Sequence, residues 1–219
     1  SIIEILSRTA NEYREFGDPR SDLRHAPEYY INVNLAQGLT REYPALRFRL
    51  EHHASAFDES ARSAIDSSHA IGKATARFDI VLLNRVNNVP RYIIEVKRGP
   101  RVLADARRIL SMAAQESDRP RWRHGFLVVL LRRTEDVAKE LVAKIVSDIE
   151  AGRQTVRAQL PSNRGVRVRY EFARVGEAVN QESGKTESKV AVFAAVFLVS
   201  LVNRATMDAD SVRPAGDDD

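Results

Sequence analysis

The sequence predicts an α/β protein in which helices flank a mixed central sheet. Segments in which apolar and polar residues alternate are typical of strands, and segments with apolar residues at helical spacing lie between them. The segment from Gly125 to Leu131 (GFLVVLL) is continuously apolar, as expected for a strand that is buried on both faces of a sheet. The predicted order is α α β β β α β α β β, in which three consecutive strands precede a helical crossover.

Two helices are predicted before the first strand. Residues 1–16 carry an apolar stripe at helical spacing, and the glycine and proline within residues 17–19 end it. Pro27 suits the first position of the second helix, and Glu28 then lies in the first turn, where an acid interacts favourably with the helix dipole. Pro44 marks the end of this second helix.

Three strands are predicted next. Apolar and charged residues alternate over residues 46–51, which predicts the first strand. Residues 78–83 and 92–97 predict the second and third strands. The dipeptide Asn87-Asn88 between them is a turn signal, so we expect these two strands to form an antiparallel hairpin.

The remaining segments complete the order. Gly99-Pro100 ends the third strand, and apolar residues then recur at helical spacing up to Ala113. Further along the chain the patterns predict a helix over residues 134–150 and strands over residues 166–172 and 189–201, and the Ser- and Ala-rich residues 54–74 predict a loop.

The composition is that of a globular domain with a basic body. The 219 residues carry a net charge of +4, and residues 207–219 hold five Asp and one Arg, so the rest of the chain carries +8. We therefore expect one domain over residues 1–206 and a flexible acidic tail over residues 207–219. A basic body permits a nucleic-acid partner without demonstrating one.

Several absences narrow the function classes. The chain contains no cysteine, which excludes a disulfide scaffold, a thiolate zinc site and a cysteine nucleophile, and which fits a reducing, cytoplasmic location. The longest apolar stretch, from Val190 to Val202, is too short to span a bilayer, so we expect no membrane partner. The sequence contains neither a glycine-rich phosphate loop nor a nucleophile elbow.

Two carboxylates and one lysine are expected to converge at one end of the predicted hairpin. Glu95 and Lys97 lie two residues apart in one strand, so both side chains point to the same face. Asp79 is at the start of the preceding strand, and in an antiparallel hairpin the start of one strand lies beside the end of the next. An acid inside the apolar segment RFDIVLL also needs a partner.

This group of residues favours metal chemistry. Two neighbouring carboxylates repel each other unless a cation joins them, and hard oxygen ligands favour Mg²⁺ or Mn²⁺. We expect Asp79 and Glu95 to bind the ion, with the main-chain carbonyl of Val96 as a third ligand. Lys97 would either hold an attacking water or stabilise charge on the transition state, and a lysine in such a position can have a depressed pKa.

Fifteen residues separate Asp79 from the tripeptide Glu95-Val96-Lys97. This arrangement resembles the motif of the PD-(D/E)XK nuclease superfamily, which includes restriction endonucleases and repair nucleases. The order of elements over residues 27–132 is similar to the αβββαβ core of that superfamily. The resemblance implies a restriction-endonuclease-like fold and Mg²⁺-dependent hydrolysis of phosphodiester bonds, above all in DNA. Phe78 stands where many members have a proline before the first acid.

The resemblance also implies roles for residues outside the motif. Glu28 matches the place where many members have another acid on the first core helix, so it would orient a metal-bound water or hold a second metal. Arg98, Arg101 and Arg108 flank the motif, and we expect them to contact the phosphates of the nucleic acid. The glutamine and tyrosine typical of RecB-like members are not evident after Lys97.

Other interpretations remain open at this stage. The chain could be a nuclease fold that no longer cleaves and instead binds nucleic acid or a partner protein, although such a module has no reason to retain mutually repelling acids. A homodimer or a partner subunit that supplies recognition is compatible with the length. The helix dipole explains Glu28 equally well, and a metal pair at His52-His53 is disfavoured because adjacent strand residues point to opposite faces.

Overall fold

The protein has an α/β fold built on one seven-stranded mixed sheet with helices on both faces. The computed structural model describes residues 1–17, 19–53, 77–115, 124–157, 160, 164–203 and 213–214. The helices are α1 (Ile2–Glu12), continued by a π-helical turn (Tyr13–Gly17), α2 (Glu28–Glu42), α3 (Leu103–Gln115) and α4 (Glu135–Arg157). The strands are β1 (Leu46–His53), β2 (Arg77–Asn84), β3 (Pro90–Lys97), β4 (His124–Arg133), β5 (Arg164–Val179), β6 (Thr186–Asn203) and β7 (Arg213–Pro214).

The strand order shows how the sheet becomes mixed. Neighbouring strands lie in the order β1-β2-β3-β4-β6-β5-β7, and β1/β2, β2/β3, β4/β6 and β6/β5 are antiparallel. β3 and β4 are parallel and are joined through α3, which is the crossover connection that parallel neighbours require. The predicted β2–β3 hairpin and the helical crossover after it are therefore confirmed.

Each face of the sheet has its own apolar core. α1 and α2 pack on one face, where they bury residues such as Ile80 and Ile94. α3 and α4 pack on the other face, against residues such as Val81 and Ile93. Strand side chains alternate between the two faces, and helices cover both faces. The central strands are therefore apolar almost throughout, as the sequence of β4 predicted.

A short asparagine-rich turn closes the β2–β3 hairpin. The side-chain oxygen of Asn84 accepts hydrogen bonds from the N–H groups of Val86 and Asn87, at 2.9 and 3.2 Å. Asn88 has a φ of 60°, a left-handed conformation that asparagine tolerates better than most residues. The predicted turn at Asn87-Asn88 is thus confirmed, and it fixes which residues of the two strands face each other.

Strand β5 is longer than predicted because its pattern is interrupted. The pairing of β5 with β6 shifts register between Arg174 and Gly176 and again between Glu177 and Val179. Such irregularities break the two-residue alternation on which a strand prediction depends. The predicted strand therefore stops short, whereas the real one continues to Val179. Strands β1 to β4 exceed their predicted limits by one or two residues at an end, and the larger differences are at α4, which reaches Arg157, and at β6, which begins at Thr186.

A buried aspartate anchors the segment between α1 and α2. The side chain of Asp22 is only 1% exposed, and its Oδ2 accepts hydrogen bonds from Arg132 Nε at 3.1 Å and from the N–H of Val179 at 3.3 Å. Its Oδ1 accepts from the N–H of Arg24 at 3.0 Å. Arg24 Nε in turn donates to the main-chain oxygen of Arg98 at 3.1 Å. The segment thereby ties β4 and β5 to the end of β3.

Two predictions fall wholly or mostly outside the described residues. The predicted loop over residues 54–74 is not described, and of the predicted tail only Arg213 and Pro214 are described, paired with Arg169 and Tyr170 of β5. Within the described ranges, no helix combines the length and apolar character needed to cross a bilayer.

Candidate active site

The β2–β3 hairpin brings the three predicted motif residues together. Antiparallel pairing of the two strands makes Asp79 and Glu95 neighbours. The ammonium of Lys97 donates to Glu95 Oε2 at 3.2 Å and lies 3.8 Å from Asp79 Oδ2. Asp79 Oδ2 also accepts a 2.7 Å hydrogen bond from the N–H of Val96. This bond holds the aspartate against the end of β3.

Helix α3 adds two charged residues that the motif does not contain. Asp105 Oδ1 lies 3.7 Å from Lys97 Nζ and 3.3 Å from Arg108 Nη2. The same nitrogen of Arg108 donates to Glu95 Oε1, and the guanidinium lies 5.0 Å from the ring centre of Phe78. Three carboxylates and two cations therefore form one connected network, which we call the acid network (Asp79, Glu95, Lys97, Asp105 and Arg108).

Glu95 is the most deeply buried carboxylate of the acid network. Its side chain is 1% exposed, compared with 16% for Asp79 and 18% for Asp105. Both of its oxygen atoms are bonded, Oε1 to Arg108 and Oε2 to Lys97. A buried carboxylate is tolerated in a folded protein when it is paired and hydrogen-bonded in this way.

The surroundings of Glu95 favour its protonated form. Burial raises the pKa of Glu95 from 4.5 to about 8, and although Arg108 lowers the pKa, Asp79 raises it again. Lys97 lowers the pKa of Glu95 and Asp105 raises it, each by a smaller amount. The net shift of the Glu95 pKa is therefore upward, and a divalent cation at its oxygen atoms would lower the pKa by favouring the ionised form.

The structure corrects one expectation about Lys97. Burial lowers the pKa of Lys97, but the carboxylates of Glu95, Asp79 and Asp105 together outweigh burial, so the net direction is upward from 10.5. The depressed pKa that the sequence allowed is therefore wrong for this arrangement. Lys97 is an ammonium at neutral pH, and it can donate hydrogen bonds but cannot take a proton from water.

The predicted metal ligands, Asp79 and Glu95, are two carboxylates and do not form a preformed cage. No group of three or more His, Asp or Glu side chains in the described part of the chain is arranged to hold a metal ion. Asp79 and Glu95 nevertheless supply hard oxygen atoms, and Mg²⁺ is commonly bound by one or two carboxylates with waters and substrate phosphate. This donor set fits Mg²⁺ or Mn²⁺ if substrate oxygens complete the coordination. The side chains of His52 and His53 lie outside the described residues.

The other predicted site residues lie around the acid network in different ways. Glu28 forms a 3.7 Å ion pair with Arg98, which follows Lys97 directly. Arg101 is exposed just before α3. Arg108 is only 10% exposed and is bonded within the acid network. The phosphate contacts predicted for the three arginines, the role of Glu28 and the role of the Val96 carbonyl stay predictions.

The sequence did not identify Asp105 as a member of the site, nor the pairing of Arg108 with Glu95. One signal was present, because two residues three positions apart share a face of a helix, and this helix follows Lys97 after a short connection. The rotation of α3 about its own axis decides which face meets the hairpin. That rotation depends on the packing of α3 against α4 and the sheet, which a local pattern does not encode.

No family model, no curated protein and no solved structure matches the chain. The predicted resemblance to PD-(D/E)XK nucleases therefore stays a prediction, which rests on Asp79, Glu95, Lys97 and the order of the elements around them.

Replacing Arg108 with alanine is expected to lower the free energy of unfolding by about 3 kcal/mol. The change leaves Glu95 buried without its partner on α3, and removing one member of a buried pair is strongly destabilising. Urea unfolding measures the effect. Arg107→Ala, an exposed position on the same helix, is the matched control and should change stability by less than about 0.5 kcal/mol. Equal effects of the two substitutions would contradict the pairing.

The stability of the protein in EDTA is expected to fall as pH rises towards 8. The pKa of Glu95 is about 8 in the folded chain and ordinarily 4.5, so its stabilising contribution is full below about pH 4.5 and is lost as pH rises through about 8. This group contributes at most about 1.4 kcal/mol per pH unit. Glu95→Gln should remove this pH-dependent part of the free energy of unfolding. Urea unfolding of the wild type and of Glu95→Gln should therefore give a difference in stability that varies with pH. A pH-independent difference would show that the pKa of Glu95 is not raised.

Proposed function

We propose that this protein is a metal-dependent nuclease of the PD-(D/E)XK type that hydrolyses phosphodiester bonds in DNA. One observation carries the proposal: Asp79, Glu95 and Lys97 meet at the end of the β2–β3 hairpin, with Lys97 Nζ within 3.8 Å of both carboxylates. The element order α2-β1-β2-β3-α3-β4 also follows the restriction-endonuclease-like αβββαβ core. DNA as substrate rests on the resemblance, and the basic body suits a polyanion.

Asp79 and Glu95 would hold Mg²⁺ or Mn²⁺, with the Val96 carbonyl as a further ligand. Such an ion neutralises the phosphate and makes a bound water more acidic. The hydrogen bond from the Val96 N–H keeps Asp79 Oδ2 in place before substrate binds. Glu95 is held by Arg108 and Lys97, so binding the ion requires Glu95 Oε2 to exchange or share its contact with Lys97.

Lys97 supplies positive charge rather than acting as a base. Its raised pKa keeps it protonated, and its three N–H groups can bond Glu95 and a phosphate oxygen together. The oxygen of the attacking water bonds to phosphorus as one P–O bond to a sugar breaks; the water releases a proton to solvent, and the leaving sugar oxygen takes a proton from solvent. Negative charge grows on the phosphate oxygens during this step. An ammonium beside those oxygens stabilises this charge. Of the two roles expected from the sequence, charge stabilisation is therefore favoured over holding the water.

Arg108 and Asp105 act as positioning residues in this proposal. Arg108 binds Glu95 Oε1, which leaves Oε2 on the side of Lys97. Asp105 contacts both cations and so keeps their charges balanced. Because Arg108 is almost fully buried, we assign phosphate binding near the motif to the exposed Arg98 and Arg101 instead.

A second function is favoured by one specific observation. Both oxygen atoms of Glu95 are already neutralised by protein cations, so the buried acid has partners without any metal. A nuclease fold that binds nucleic acid or a partner protein without cleaving it would be compatible with this arrangement. Cleavage and binding assays on the same preparations separate the two functions.

Incubation of supercoiled plasmid and of single-stranded DNA with Mg²⁺ or Mn²⁺ tests the nuclease directly. We expect the wild type to cut only when a divalent ion is present. Asp79→Asn and Lys97→Gln should each slow cutting by at least about 100-fold, because each removes a charge that the reaction needs. Asp136→Asn and Lys144→Gln make the same chemical changes at exposed positions of α4 and should keep the wild-type rate.

Two outcomes would count against the nuclease. Cutting that survives in Asp79→Asn and Lys97→Gln would place the activity elsewhere or in a contaminant. Absence of cutting by the wild type on both DNAs, combined with binding of the same DNAs, would favour the non-cleaving function.

A further inference from the structure

A small cavity at the outer edge of the sheet is lined by three arginines. It has a volume of about 290 Å³ and lies where the end of α2, the start of β1 and the end of β2 meet. Its lining consists of Thr40, Arg41, Leu46, Arg47, Phe48 and Arg85, with no carboxylate among them. β1 is the first strand of the sheet order, so no strand of the described chain covers this edge.

The three arginines lack the acidic partners that arginines in a folded protein usually find. Among the described residues, none of the ion pairs involves Arg41, Arg47 or Arg85. Arg85 Nη1 donates only to a main-chain oxygen, that of Pro44 at 3.3 Å. The Nε of Arg47 is buried and has no hydrogen-bond partner in the described structure. A buried donor without a partner is costly, so a ligand that drew the Arg47 side chain towards it and accepted from Nε would stabilise the site.

A helix end accounts for only one of these charges. Arg41 lies in the last turn of α2, where a cation interacts favourably with the negative end of the helix dipole. Arg47 lies on β1, and Arg85 directly follows β2. Three unpaired guanidinium groups around one cavity repel each other. An anion with several acceptor oxygens, such as a phosphate, would relieve that repulsion and match the fork of the guanidinium.

The strand register connects this cavity to the acid network. Arg47 pairs with Leu83 on β2, four residues along that strand from Asp79, which corresponds to roughly 14 Å. Arg49 pairs with Val81, halfway between, and is exposed. Paired residues share a face of the sheet, so Arg49 lies on the face of Val81 and Asp79. The edge of β1 therefore presents positive charge at intervals leading away from the proposed active site.

We propose that the cavity of Arg41, Arg47 and Arg85 is a phosphate-binding subsite for the nucleic-acid strand that enters the active site. This inference rests on the proposed function for the direction of the strand, but the subsite itself binds phosphate without metal and without cleavage. The ligand is an internal phosphodiester of a nucleic acid. Arg49 lies on the path between the subsite and Asp79.

Fluorescence anisotropy with a labelled single-stranded and a labelled duplex DNA in EDTA tests the subsite, in proteins that all carry Asp79→Asn. We expect Arg47→Gln combined with Arg85→Gln to weaken binding about tenfold or more. The dependence of log affinity on log salt should become shallower by about 0.7 to 0.9 for each phosphate contact that is lost. Arg8→Gln combined with Lys144→Gln removes two positive charges at exposed positions far along the chain from the cavity and should change neither quantity to this extent.

Arg41→Gln is a second test that alters an exposed side chain and leaves the Pro44 contact intact. It should weaken binding in the same direction as the double substitution. Equal losses in the double substitution and its control, or no DNA binding without the substitutions, would overturn the subsite. Cleavage by the wild type is measured separately. If the wild type cuts DNA but binding does not depend on the arginines, only the subsite is rejected. If binding depends on the arginines but the wild type does not cut, only the nuclease is rejected.

Discussion

The ion pair between Glu95 and Arg108 is the interaction on which the rest of the site depends. Glu95 is almost completely buried, and a buried carboxylate needs partners for both oxygens. One partner, Lys97, comes from the same strand, and the other comes from α3. The strand and the helix must therefore be placed correctly relative to each other before Glu95 is stable. The β3–α3–β4 crossover is fixed by electrostatics as well as by apolar packing.

The balance of charge then limits what the site can do. Three carboxylates face two cations, so one negative charge remains when all groups are ionised. A proton on Glu95 or a divalent cation bound by Asp79 and Glu95 can neutralise it, and the two compete for the oxygen atoms of Glu95. On the other side of the hairpin end, Arg24 and Glu28 hold the main chain and side chain of Arg98. The site is thus supported from both faces of the sheet.

The sequence predicted local geometry well and tertiary geometry poorly. Asp79, Glu95 and Lys97 could be placed together because strand alternation and a short turn decide their positions. The pairing of Arg108 with Glu95 could not be predicted, because it depends on how α3 is rotated against the sheet. The raised pKa of Lys97 depends on all three neighbouring acids, and the sequence did not place Asp105 beside Lys97. The direction of this pKa shift was therefore not predicted. The second half of β5 was not predicted, because the register shifts in its pairing with β6 interrupt the alternation of apolar and polar residues.

The proposed chemistry requires Asp79 and Glu95 to bind a divalent cation together. Calorimetric titration of Mn²⁺ into the wild type and into Asp79→Asn, each with and without a DNA oligonucleotide, tests it most directly. We expect a Mn²⁺ site in the wild type whose affinity rises when DNA is present, because phosphate oxygens complete the coordination. Asp79→Asn should weaken this affinity at least about tenfold. Equal Mn²⁺ affinity in the two proteins, or no binding by the wild type even with DNA present, would contradict it.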